Sequence, residues 1–379
     1  MQSLTKHGAF QRRASIQRAG GAPVRGLRAS RPCTVSVAAA ATVTKLETGA
    51  WVVAPQYRSK GVVHFLGGAF AGAAPQVVYS LLLDSIADAG YTAIATPYAV
   101  TFRHDDCARA VRQQFLDSVA ELRGPAGLPD AAPDGVPVIG LGHSNGALLH
   151  LLIGAFFPGA AATNIVISFN NKQVKDAIPV PGLMENLPGA VNAMRNNLPL
   201  PDLANLPLPI PLPTQMPTGS QVLGAMASLL PPELRNAADR AGQLSGAGLL
   251  LDQIPSVFGE VGGGATDFYP TPAESRAIIG GSYGVSPTLV VRFADDSIDE
   301  SLEMSALLKS RLGAGVTQIT LPGSHITPCG GDVPWPTGPI FTPVDTIAQV
   351  VKEQQQADIL RLSKQLVGWM DMVSVQQAA

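Results

Sequence analysis

The stretch VPVIGLGHSNGALL, Val136 to Leu149, decides how the rest of the chain is read. It places a short apolar strand, a serine bracketed by glycines and an apolar helix in immediate succession. At its centre, Gly142-His143-Ser144-Asn145-Gly146 matches G-x-S-x-G, a sharp strand-to-helix turn that lifts a serine hydroxyl to the end of a sheet. Lacking a Cβ, the two glycines let strand and helix approach closely on either side of the turn. The pentapeptide alone is common. Its flanks give it weight: Val136 to Leu141 is an apolar run of strand length, and Ala147 to Phe157 one of helical length.

Upstream, Leu46 to Pro55, with Trp51-Val52-Val53, reads as a first short strand, and Val62-Val63-His64-Phe65-Leu66 as a buried one ending at Gly67-Gly68. The run HFLGGAFAG then opens a helix near Pro75, whose fixed φ suits a first turn. It could in principle cradle a phosphate, but G-x-G-x-x-G is absent, so a dinucleotide reading is weak. Tyr91 to Thr96 is a further strand, stopped by Pro97. Asp105 to Leu122 shows helical periodicity through Ala108, Val111, Phe115, Val119 and Leu122. Beyond the serine, Asn164 to Phe169 is another buried strand. Repeated alternation of strand and helix predicts an α/β fold with a mostly parallel central sheet and helices on both faces.

The alternation breaks between Asn170 and about Val285, where no β-α unit is apparent. Leu198 to Pro217 carries seven prolines interleaved with Leu, Ile and Met, a composition that favours extended or irregular backbone. Residues 171–285 are therefore expected to form a Pro/Leu-rich cap inserted into a core of residues 46–170 and 286–372, or else a surface insertion with no substrate role. Regularity returns at Pro287 to Ala294, a strand followed by Asp295, Asp296 and Asp299. A helix over Ile298 to Leu312 leads to a last strand, Val316 to Leu321, and to Pro322-Gly323-Ser324-His325; Val344 to Met372 is the expected closing helix.

The first forty residues differ in kind. Lys6, Arg12, Arg13, Arg18, Arg25, Arg28 and Arg31 precede the first acid, Glu47, with Ser, Ala and Gly between them. An Arg-rich, acid-free start without an apolar h-region is the composition of an organellar transit peptide, and residues 1–41 are assigned to one. Removing those seven of the 26 basic residues, against 28 acidic ones, would move the formal charge from −2 to −9, which argues against a nucleic-acid partner. No run reaches the 18 or so apolar residues of a membrane span; peripheral membrane contact stays open. Cys33 falls in the leader, and Cys107 and Cys329 match no metal or disulfide pattern. His64, His104 and His150 lack metal-ligand spacing and are expected to be structural, so neither metal nor cofactor is expected.

A serine hydroxyl attacks a carbonyl at neutral pH only with a base in hydrogen-bonding reach and a third group that orients the base. The α/β-hydrolases supply these in the chain order Ser, acid, His, each beyond the C-terminal end of a strand. Here that order gives Ser144, then Asp296 with Asp295 as the alternative acid, then His325. Asp299 is better placed to cap the next helix. His143, adjacent to the serine, is expected to pack or hydrogen-bond rather than act as base. The developing oxyanion would be met by the N–H of Asn145 and one from Ala69 or Phe70, in the loop after the second buried strand.

Several phrases together resemble a plastid and cyanobacterial family known as domain of unknown function 1350, of the α/β-hydrolase superfamily. They are HFLGGAFAGAAPQVVY (His64 to Tyr79), GYTAIATPYAVTF (Gly90 to Phe102), GHSNGA (Gly142 to Ala147), SFNNK (Ser168 to Lys172), FYPTPAES (Phe268 to Ser275) and FADDSIDES (Phe293 to Ser301). The resemblance implies the α/β-hydrolase fold and a chloroplast setting, and nothing about substrate. The expected activity is that of a serine hydrolase of esterase, lipase or thioesterase type on an apolar acyl substrate, possible lipids included. Two other readings use the same fold: a noncatalytic lipid- or protein-binding protein, and an acyltransferase with the same three residues.

Overall fold

The computed structural model describes residues 41–69, 71–172, 260, 267–330 and 343–378, with side chains in the last helix described from 354 to 375. Eight strands form one sheet: β1 (Thr42–Lys45), β2 (Trp51–Ala54), β3 (Val62–Leu66), β4 (Thr92–Ala95), β5 (Val138–His143), β6 (Thr163–Ile167), β7 (Thr288–Phe293) and β8 (Val316–Leu321). Their order across the sheet is β1-β2-β4-β3-β5-β6-β7-β8. β2 is antiparallel to both neighbours, and every pair from β4 to β8 is parallel, so only β2 runs against the rest. The described helices are α1 (Pro75–Val78), α2 (Ser80–Asp88), α3 (His104–Arg123), α4 (Asn145–Phe156), α5 (Pro272–Ser282), α6 (Ser301–Leu312) and α7 (Pro343–Ala378). This is the α/β-hydrolase fold, with the serine on the turn between β5 and α4.

The central strands are apolar on both faces because helices cover both. Ile165 and Ile167 of β6, with Leu289, Val291 and Phe293 of β7, pack toward Leu82, Leu83 and Ile86 of α2 and Leu362, Leu366 and Met370 of α7. The alternate residues Val166 and Val290 face Leu148, Leu151 and Leu152 of α4, Ile279 of α5 and Met304 and Leu308 of α6. A third cluster joins Val52, Val62 and Ile94 to Phe115 and Leu122 of α3. Each fully buried aliphatic or aromatic side chain contributes about 1.5–3 kcal/mol. Helix α4 is buried around nearly its whole girth, from Gly146 to Ala155, because it lies between the sheet, α3 and α5. Parallel strands end on one edge, and that edge carries the ends of β3, β5, β7 and β8 that matter below.

Two elements go beyond the sequence reading. A strand, β1, precedes the expected first one and pairs with it after the turn closed by Leu46 N–H donating to Ala50 O at 2.9 Å. Within the stretch where no β-α unit was apparent, α5 forms and packs against α4 and α6, with Ile279 and the following Tyr283 fully buried. Thr271 caps it in a reciprocal capping box with Glu274, and Pro272 opens the first turn. Residues 173–259 and 261–266, most of the expected cap, lie outside the described residues, as do residues 1–40.

The elbow itself is a steric construction. A Cβ on Gly142 would overlap the carbonyl of Gly146, and one on Gly146 would overlap the carbonyl oxygens of Leu66 and Gly67 at the end of β3. Both obstacles are backbone and cannot rotate away. Gly146→Ala should therefore destabilise the protein by about 1–3 kcal/mol or more in urea unfolding. Gly281→Ala, on an exposed position of α5 with open space around it, should instead stabilise by about 0.5–1 kcal/mol. Equal effects of the two substitutions would contradict this account of the turn.

Candidate functional site

Ser144 is held at φ 57°, ψ −117°, a conformation that side-chain-bearing residues rarely adopt and that costs on the order of 1–3 kcal/mol. Three bonds fix it there. Its N–H donates to Ile167 O of β6 at 2.9 Å, and its carbonyl accepts from Ala147 at 3.0 Å and Leu148 at 3.3 Å in the first turn of α4. The residue is 9 % exposed, so its hydroxyl reaches the surface only narrowly.

The structure brings Ser144, His325 and Asp296 together from three separate strand ends. Ser144 Oγ lies 2.9 Å from His325 Nε2, and His325 Nδ1 lies 2.8 Å from Asp296 Oδ2. With the neutral ring protonated at Nδ1, that nitrogen donates to the carboxylate while Nε2 accepts from the serine hydroxyl. His325 sits in a turn after β8, where Ser324 N–H donates to Thr327 Oγ1 at 2.8 Å and Thr327 N–H to Ser324 O at 2.9 Å. Gly323, at φ 126°, supplies the backbone turn that only glycine adopts without strain.

The Asp296 side chain is fully buried. Burial alone would raise its pKa, but the bond and electrostatic attraction of His325, the nearby Ser168 hydroxyl and the N–H of Ile298 at 3.1 Å outweigh it, and the net shift is downward. Asp296 is thus held as a carboxylate facing the ring. Asp295, the alternative acid, is exposed, and its N–H donates to Gly323 O at 3.0 Å. The ring's bond goes to Asp296. Asp299 accepts from Ser301 N–H at 2.9 Å at the start of α6 and pairs with Arg292 at 3.3 Å, the capping place expected of it.

The expected oxyanion donors are placed as follows. Asn145 occupies the first helical position of α4, where an N–H has no intrahelical acceptor. Ala69 is exposed in the tight turn closed by Gly72 N–H donating to Gly68 O at 2.6 Å. Gly68 lies against Ser144, since a Cβ there would stand 3.3 Å from Ser144 Cβ. Phe70 lies outside the described residues.

Around this line sits a shell of buried polar groups that the sequence left unassigned. Tyr98 Oη lies 2.5 Å from Gly67 O and 3.2 Å from Asn145 Oδ1. Asn145 Nδ2 donates to His104 Nε2 at 3.1 Å, which puts the His104 proton on Nδ1; that atom has no partner among the described residues. His104 stacks on Phe268 at 4.5 Å, so the segment returning from the insertion reaches the floor beside the serine. Ser168, at the end of β6, has φ 47°. Its buried Oγ makes no well-formed hydrogen bond among the described residues, yet it lies close enough to Asp296 to help keep the carboxylate charged. Positive φ at a serine cannot be read from sequence; SFNNK was visible only as a motif. Among the described residues no group of His, Cys, Asp or Glu could hold a metal ion, and no helix is long and apolar enough to cross a membrane.

The family model described as Protein of unknown function (DUF1350) matches residues 45–211 and 222–372. The chain belongs to that family. No curated protein matches it. Among solved structures it is similar to the thioesterase domain from the curacin biosynthetic pathway, at 15 % identity, covering 76 % of this chain and 95 % of that one with a TM-score of 0.41. It is also similar to a putative lipase from Acinetobacter baumannii AYE, at 14 % identity, 86 % and 93 % coverage and a TM-score of 0.41. A third is an α/β hydrolase from Sphaerobacter thermophilus DSM 20745, at 18 % identity, 82 % and 99 % coverage and a TM-score of 0.37. The fold stands on the chain's own sheet order and not on these likenesses.

Four histidines are buried in the uncharged state. Burial lowers His104 and His150 from 6.5 to about 4 and His143 to about 3. His64 is pushed well below 6.5 by burial first and by His150 second. In the unfolded chain these rings titrate near 6.5, so below that pH the unfolded state binds more protons and stability rises with pH. Unfolding free energy should fall as pH drops from 7 toward 4, by up to about 1.4 kcal/mol per pH unit for each ring. Urea titrations at pH 7, 6 and 5 check this; a stability that is flat or increases toward pH 5 would contradict the buried neutral state.

Proposed function

We propose that this protein is a serine hydrolase that cleaves an ester of an apolar acyl group through Ser144, His325 and Asp296. The observation that carries the reading is the continuous chain of short hydrogen bonds Ser144 Oγ to His325 to Asp296. In the first step His325 Nε2 takes the serine proton as Oγ attacks the carbonyl carbon, and Asp296 stabilises the resulting imidazolium. Charge gathers on the former carbonyl oxygen. We assign its stabilisation to the N–H of Asn145 and to one from Ala69 or Phe70, each contributing about 3 kcal/mol in the transition state. Gly68 is not the second donor, because its N–H is already given to Tyr79 Oη at 2.8 Å.

The tetrahedral species collapses when His325 returns its proton to the leaving alcohol or thiol, leaving the acyl group on Ser144. Water then attacks with His325 again as base, and the acid leaves. The apolar acyl preference is supported by exposed Ile298 and Ile326, which flank the acid and the base in sequence and are 37 % and 63 % exposed, and by the Leu/Pro-rich composition of the insertion. Acyl transfer to an alcohol in place of water needs no change of residues.

A fluorophosphonate probe reacts with such a serine: His325 takes the hydroxyl proton as Oγ attacks phosphorus, fluoride leaves, and the phosphonylated serine resembles the tetrahedral species. Wild type should label, and Ser144→Ala should not. Asp296→Asn should slow labelling by about 10⁴-fold, because the ring would be held in the wrong tautomer. Asp295→Asn, an exposed change, should stay within about threefold of wild type. Loss of labelling with Asp295→Asn and retention with Asp296→Asn would reverse the assignment of the acid; no labelling of the folded wild type would overturn the hydrolase reading.

A further inference from the structure

A second hydrogen-bonded line runs behind the first. Gly68 N–H donates to Tyr79 Oη at 2.8 Å, Tyr79 Oη lies 2.9 Å from His143 Nδ1, and His143 Nε2 lies 2.9 Å from the backbone carbonyl of His325. A carbonyl can only accept, so Nε2 of His143 carries the proton. Nδ1 is then a bare acceptor, and the Tyr79 hydroxyl donates to it while accepting from Gly68. One assignment of protons satisfies every atom on the line, with the Cys329 thiol a further neighbour of the Tyr79 hydroxyl. Tyr79 is fully buried and His143 is 2 % exposed, so no solvent competes for these bonds. Burial also keeps both groups in the protonation states the line requires, the ring neutral and the phenol protonated.

The line joins three segments that are far apart in the chain: the loop after β3, the last residue of β5 and the turn after β8. His143 is bonded covalently to the nucleophile. Its ring therefore measures the position of the His325 backbone, and through Tyr79 that of Gly68, from a point fixed beside Ser144. The ring bonds of His325 to Asp296 and Ser144 orient the imidazole, and the Ser324–Thr327 bonds close its turn, but the bond from His143 is what ties the His325 backbone to the strand end that carries Ser144. A residue that only filled space here would need neither ring nitrogen. We propose that Tyr79 and His143 are a positioning pair that sets the base and the oxyanion loop at their working distances from Ser144. This rests on the reading of Ser144, His325 and Asp296 as the reacting line.

Gln and Asn at position 143 separate the two ends of the line. The amide N–H of Gln reaches about as far as Nε2 and keeps the bond to His325; the amide of Asn stands near Nδ1 and keeps only the bond from Tyr79. With the fluorophosphonate rate constant as readout, His143→Asn should react about 100-fold more slowly than wild type, since a shift of about 1 Å at the base costs that much. His143→Gln should lie within about tenfold of wild type, with Tyr79→Phe between the two. Equal rates for Asn and Gln, or rates that follow the unfolding midpoints of the variants, would overturn the proposal. A readout independent of reactivity is the ¹⁵N spectrum of the His143 ring in the wild-type chain, where the Nε2–H tautomer is expected and the Nδ1–H tautomer would equally overturn it. If the wild type does not label at all, the triad reading fails, and the tautomer alone decides whether the line exists.

Discussion

The backbone conformation of Ser144 is the constraint on which the rest depends. At φ 57° the residue can turn the chain from β5 directly into α4 and leave its side chain at the strand's end, but only if neighbours enforce that angle. Enforcement comes from the Ile167 carbonyl on β6, from the first turn of α4 and from the close passage of Gly146 beneath the end of β3. The parallel register between β3, β5 and β6 is thus part of the site, since it brings the Leu66 and Gly67 carbonyls and the Ile167 carbonyl to the elbow. A one-residue slip of either neighbour would withdraw the contacts that hold the serine.

Around that fixed point, His325 is constrained through its ring and through its backbone. Its two ring nitrogens face Ser144 and Asp296, and its carbonyl accepts from His143. Asp296 remains ionised because bonds outweigh burial, whereas His143 remains neutral because burial outweighs its single carbonyl bond. The same low-dielectric surroundings therefore produce opposite outcomes according to whether the charged form has partners. Ser168 and Tyr98 extend this arrangement to Asp296 and to the loop after β3. The surroundings of Ser144 are built from backbone carbonyls and buried polar side chains.

The sequence made the sheet and the placement of Ser144, Asp296 and His325 legible because each depends on local pattern: an apolar run of strand length followed by a turn residue of distinctive chemistry. It could separate Asp296 from Asp295 only by analogy of spacing, since the direction of each side chain depends on how the turn after β7 closes. Helix α5 has no clear apolar period because Pro272 to Ser282 is short and carries two adjacent glycines near its end. The Thr271-x-x-Glu274 capping box was the signal that would have found it. The roles of Tyr79, Tyr98 and Ser168 had no sequence signal beyond membership in a motif, because their partners lie on other elements and loops. Residues 1–40, most of the insertion and Phe70 lie outside the described residues.

The central claim is that the serine becomes acylated, and intact-mass spectrometry after rapid acid quench tests it most directly. Mixed with p-nitrophenyl esters of increasing chain length, the protein should gain the mass of one acyl group within the first turnover, with the adduct on the peptide that contains Ser144. Longer acyl chains should accumulate it faster. An ester cleaved with no covalent adduct at any quench time, or an adduct on a different residue, would contradict the account.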